Sequence, residues 1–99
     1  MVTMSYMGSS HTLDGFNGIE VNPVRDDGTF CEVCEPHEAS FWSVYGHWRT
    51  GGVECLWDCP TQKDAEDLAD QAQAMLQEAG ILEYDWRTGK EMKNVQPNQ

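Results

Sequence analysis

Apolar and polar positions keep helical time over one stretch of this chain. Ala65, Leu68, Ala69, Ala72, Met75, Leu76 and Ala79 recur at intervals of three and four residues, so they line one side of an α-helix. Glu66, Asp67, Asp70, Gln71, Gln73, Gln77 and Glu78 fill the remaining surface. Thr61 after Pro60 suits an N-cap, Asp64 stands three residues on where a capping acid belongs, and Gly80 followed by Ile81 is a Schellman-type stop. A lone helix of this length is marginal in water. Its Ala-rich stripe needs a flat apolar partner.

The residues before the helix supply one. Positions 41–48 and 53–59 read as a β-hairpin around Arg49-Thr50-Gly51-Gly52. If Trp48 faces Val53, then Gly46 faces Cys55, Val44 faces Trp57 and Trp42 faces Cys59, and directly opposed residues share a face. Trp42, Val44, Trp48, Val53, Cys55, Trp57 and Cys59 then form an apolar face for the helix. Phe41, Ser43, Tyr45, His47, Glu54, Leu56 and Asp58 form the outward one. A slip of one residue would exchange the two.

Upstream, positions 18–25 alternate weakly through Ile19 and Val21, with Val24 out of phase and Pro23 suiting an edge strand or bulge. Asp26-Asp27-Gly28 predicts a hairpin turn, with residues 29–34 returning and Pro36 ending the strand. Residues 81–86 predict either a fifth strand or a segment packed along the sheet. These elements imply an α+β fold: an antiparallel sheet of four or five strands with one amphipathic helix on one face. Residues 16–86 make the single domain. The polar stretches 1–15 and 87–99 are expected to be a flexible arm and a flexible tail.

Charge narrows the partners. Seventeen Asp plus Glu stand against six Lys plus Arg, a formal net charge of -11 over 99 residues. Phosphate backbones and anionic lipid repel such a chain, so no direct nucleic-acid or membrane partner is expected, and basic proteins are its natural counterparts. Solubility alone also accounts for high charge. No run is long and apolar enough to span a bilayer, and the start lacks the basic-then-apolar order of a signal peptide. A cytoplasmic location and reduced cysteines are the corresponding expectations.

Candidate chemistry centres on those cysteines. Cys31 and Cys34 form a C-x2-C pair, Cys55 and Cys59 a C-x3-C pair, with His37 and His47 nearby. Four such ligands are a zinc-type set. Neither pair has the glycine that relieves a zinc knuckle, and strand alternation puts Cys31 and Cys34 on opposite faces. The competing reading, which needs no cofactor, has thiols behaving as small hydrophobes. Glu32, Glu35 and Glu38 around Cys34 oppose the low thiol pKa that redox catalysis needs. His47 opposite Glu54 would be an oriented base in an enzyme, with Ser43 or a thiol as nucleophile. A cross-strand pair on a solvated face explains the same residues. No GxSxG, HExxH or phosphate-cradling loop occurs, and a non-enzymatic protein is the expectation.

Two surfaces remain for a protein partner. Phe41, Tyr45, His47 and Leu56 form an aromatic and apolar strip with a polar rim, the usual anatomy of an interface. A second layer, from the N-terminal arm or residues 81–86, would instead make that strip core. Glu66, Asp67 and Asp70 on the helix could imitate spaced phosphates for a basic nucleic-acid channel, or could simply be solvated.

The core Val33-Cys34-Glu35-Pro36-His37-Glu38-Ala39-Ser40-Phe41-Trp42-Ser43-Val44-Tyr45-Gly46-His47, followed by Gly51-Gly52-Val53-Glu54-Cys55, resembles a group of small acidic proteins of bacterial plasmids, integrative elements and phages. The resemblance spans roughly residues 15–80 and carries no established activity or catalytic residue. It implies a context: an accessory protein of a mobile element, with an acidic inhibitor or mimic acting on a host nucleic-acid-handling protein as the expectation to test. A small structural zinc domain using the four cysteines is the alternative.

Overall fold

The computed structural model describes residues 2–89. Six strands, one helix and a 3-10 turn follow in the order β1 (Thr3–Tyr6), β2 (Ser9–Thr12), β3 (Phe16–Asp26), β4 (Cys31–Val33), the turn at Pro36–Glu38, β5 (Phe41–Trp48), β6 (Val53–Cys59) and α1 (Gln62–Glu78). Strands β4-β3-β5-β6 form one antiparallel sheet, and β1-β2 a separate hairpin. The fold is α+β.

Helix α1 forms as its pattern predicts. Thr61 Oγ1 accepts from the Asp64 N–H at 3.1 Å. At the far end Ile81 N–H reaches Leu76 C=O and Gly80 N–H reaches Gln77 C=O, both at 3.0 Å. With Gly80 at φ +78°, these two bonds complete the Schellman stop. Ala65, Leu68, Ala69, Ala72 and Leu76 are buried in one cluster with Ile19, Val44, Trp57 and Cys59.

The β5–β6 register agrees with the expectation at one end and departs from it at the other. Trp42 faces Cys59 and Val44 faces Trp57, as expected, but Tyr45 then faces Cys55, Gly46 faces Glu54 and His47 faces Val53. Leu56 is the extra residue of a β-bulge. Its side chain drops into the core at 5 % exposure, whereas alternation placed it outside. Cys55 and Val53, expected inside, are exposed instead. An inserted residue reverses the faces of everything on its loop side.

Gly46 takes part in the same packing. A Cβ there would lie 2.7–2.8 Å from three atoms of the Phe16 ring. The buried Phe16 therefore fills the inner face where β5 offers no side chain, and it lies against Trp48 with ring centroids 4.2 Å apart and the planes tilted by 37°.

The N-terminal stretch is structured, which corrects the expectation of a flexible arm. Strands β1 and β2 pair in register from Thr3↔Thr12 to Tyr6↔Ser9, and Met4 and Leu13 are buried in the main core. Trp57 ties the hairpin down. Its indole N–H donates to Ser9 C=O at 2.9 Å and His11 meets its ring edge-on. The buried anchors Met4 and Leu13 stand nine residues apart with mostly polar residues between them, which hides such a segment from a periodicity reading.

Residues 81–86 resolve as a packed segment. Strand β4 covers only Val24–Asp26 of β3, leaving the earlier part of that edge open. Glu83 N–H donates to Asn17 C=O there at 2.7 Å, and Tyr84 lies against Gly18. Trp86 is pinned to α1 through Asp70 and Gln73. Arg87 joins Asp70 at 2.8 Å, so the chain is still tied to α1 at the first residue of the expected tail. The rest of that expected tail, residues 90–99, lies outside the described residues.

Candidate protein-binding face

The helix and the β1–β2 hairpin pack against the inner face of the sheet. The outer face carries Glu20, Asn22 and Val24 from β3, Phe41, Ser43, Tyr45 and His47 from β5, and Cys55 and Asp58 from β6. Among the described residues, neither the N-terminal hairpin nor residues 81–86 lines its central groove. That groove has a volume of about 300 Å³ and is bounded by Val24, Val33, Phe41, Tyr45, Cys31, Glu32, Ser43, Cys55 and Asp58. Strands β4 and β6, at opposite edges of the sheet, both line it, so the face is concave.

Phe41 and Tyr45 are half-buried on this face, and Val33 stands 57 % exposed at its margin. Leu56, expected among them, belongs to the core. Val24 takes its place as the apolar floor at 3 % exposure. The signal for Val24 was present in the sequence: its phase is wrong for the inner face because it serves the outer one. Glu20 was equally legible, alternating with Ile19 and Val21.

His47 pairs with Glu20 on β3, Nε2 to Oε1 at 2.8 Å, and not with Glu54. The bulge moved Glu54 opposite Gly46. The other carboxylate oxygen of Glu20 accepts from Asn22. Ser43 Oγ donates to Asp58 Oδ1 at 2.5 Å, and the Cys55 thiol lies 3.5 Å from the same oxygen. Imidazole and hydroxyl therefore each have their own carboxylate partner. Desolvation by the groove walls, reinforced by the Asp58 carboxylate, pushes the Cys55 thiol up to about 11, which opposes thiolate chemistry at neutral pH.

The four cysteines do not converge. Cys59 is buried on the inner face, whereas Cys55 and Cys31 open to the outer groove and Cys34 lies past the end of β4. Among the described residues no three His, Cys, Asp or Glu side chains are grouped to hold a metal ion. The sheet itself stands between Cys59 and the outer thiols, so this donor set does not fit a tetrahedral zinc site.

On the helix, Asp67 is bound by Lys63 at 2.8 Å, Asp70 by Arg87 and the Trp86 indole, and Glu66 accepts from Gln62. Hydrogen bonding from Arg87 holds the Asp70 carboxyl below its ordinary range. Two of these three acids are matched by the chain's own cations, which leaves less free charge on this face than the sequence suggested.

A second concavity of about 530 Å³ continues from the outer face toward the β5–β6 loop. It is lined by Asn17, Glu20, His47, Trp48, Arg49, Tyr84, Asp85 and Trp86 among others.

No protein-family model, no curated protein and no solved structure matches this chain. No helix among the described residues is long and apolar enough to cross a membrane.

Proposed function

We propose that this chain is a non-enzymatic accessory protein that binds a basic protein partner on the concave outer face of its sheet. The observation carrying the reading is that face: Val24, Phe41 and Tyr45 form an apolar groove that no described element covers, inside a rim that includes Glu20, Glu32 and Asp58. Partly exposed aromatics with a polar rim are what interfaces are built from. A net charge of -11 selects a basic partner. The mobile-element resemblance supports a host nucleic-acid-handling protein, whose phosphate-binding surface is basic by necessity. The separate pairings of His47 and Ser43 favour binding over catalysis.

Selection of peptides from a random displayed library, followed by affinity measurement on individual peptides, tests the reading. The expected winners carry Lys or Arg beside apolar residues, and Phe41→Ala with Tyr45→Ala weakens them at least about tenfold while the melting temperature stays close to that of the parent. Winners without basic residues, or affinities untouched by the double substitution, would overturn it.

A further inference from the structure

The cleft at the β5–β6 end of the outer face combines features that the groove lacks. Trp48 and Tyr84, each 37 % exposed, stand on its walls. Two carboxylates, Glu20 and Asp85, line it against one fixed cation, Arg49. Arg49 is already engaged, donating from Nη2 to Asp14 C=O at 2.8 Å, and the His47 imidazole is turned to Glu20.

A few residues away the chain seats a cation of its own in the same way. The Arg87 guanidinium lies 4.3 Å from the centroid of the Trp86 ring while Asp70 on α1 grips it from the side. An aromatic face and a carboxylate together attract a guanidinium more strongly than either does alone.

We infer that this cleft is a subsite for a cationic side chain of the partner, a guanidinium or ammonium held between the Trp48 and Tyr84 rings and the Glu20 carboxylate. The inference deepens the proposed binding face, since Glu20 and His47 belong to both the face and the cleft. It names arginine or lysine as the residue that fixes the partner's register. The neighbouring groove takes the apolar residues that follow.

Free small cations probe the subsite without any partner. The full chain is titrated at constant ionic strength with N-propylguanidinium chloride, with the neutral N-propylurea and the anionic propionate as controls, while backbone and indole N–H resonances are followed. Saturable shifts confined to Trp48, Tyr84 and their neighbours are expected for the guanidinium alone. Glu20→Gln should weaken them at least about fivefold, and Glu78→Gln, the same loss of one exposed carboxylate on the far side of the sheet, should leave them unchanged. Equal binding of propylurea, preferential binding of propionate, shifts spread over the whole surface, or indifference to Glu20→Gln would each overturn the subsite. The two readings fail separately. Basic peptides that depend on Phe41 and Tyr45 survive a failed cation titration, and a saturating cation survives a failed peptide selection.

Discussion

At Gly46 a single missing methyl group decides how the core closes. In an ordinary strand, replacing Gly by Ala removes unfolded-state freedom and stabilises by some tenths of a kcal/mol. Here the new Cβ would meet the Phe16 ring at 2.7–2.8 Å, and a buried ring cannot withdraw without opening the core. Gly46→Ala should therefore destabilise by about 1–3 kcal/mol in urea unfolding. In a Phe16→Leu background most of that cost should vanish, because the smaller side chain leaves room. Equal costs in both backgrounds would place the strain elsewhere. Cys55 poses a different question, since it borders solvent yet its thiol is held up, chiefly by desolvation against the groove walls and further by the Asp58 carboxylate. With its thiol near 11, roughly one molecule in a thousand is thiolate at pH 8, against roughly a quarter for an ordinary cysteine. Iodoacetamide should modify it slowly at pH 8 and much faster at pH 10, read by mass mapping. Asp58→Asn removes the neighbouring charge and should speed the reaction several-fold at pH 8.

At the scale of elements, what the sequence discloses depends on how much of a segment's burial is periodic. Helix α1 buries five residues of a regular stripe and closes on Gly80, so its limits can be read directly. Both hairpin strands are equally plain, and Val24's broken phase marks the outer groove. The bulge is not legible, because alternation assumes one residue for one and says nothing of an inserted Leu56. His47 consequently looks toward Glu54 on paper and toward Glu20 in the fold. The β1–β2 hairpin is hidden for another reason: its anchoring is tertiary, through Met4, Leu13 and the Trp57 indole. Leu13→Ala measures that anchoring. A buried leucine at 0 % exposure should cost about 2–5 kcal/mol when truncated. A residue in a flexible arm would cost close to nothing. Loss of the hairpin should also expose Trp57, visible as a red shift of its fluorescence.

For the whole molecule, the charge of -11 acts with opposite sign on stability and on binding. Carboxylates outnumber cations over the described surface, and the pairs Arg25–Glu32, Arg25–Glu38, Lys63–Asp67 and Arg87–Asp70 leave the net excess as it is, since each cation in them is already counted against it. Exposed pairs of this kind contribute little each, so net repulsion among the remaining acids dominates the long-range field. Added salt shortens the screening length from about 10 Å at 0.1 M to about 3 Å at 1 M. It should therefore raise the melting temperature of the free protein. The same addition should weaken a basic peptide selected on the outer face, because the attraction that steers it is screened along with the repulsion. One salt series, with the melt and the affinity recorded side by side, checks both. Opposed trends mean that the acidic field recruits the partner and that the fold tolerates the repulsion for that purpose. A peptide whose affinity holds at high salt, yet falls with Phe41→Ala and Tyr45→Ala, would assign recognition to the apolar groove and leave the charge to keep the protein dispersed.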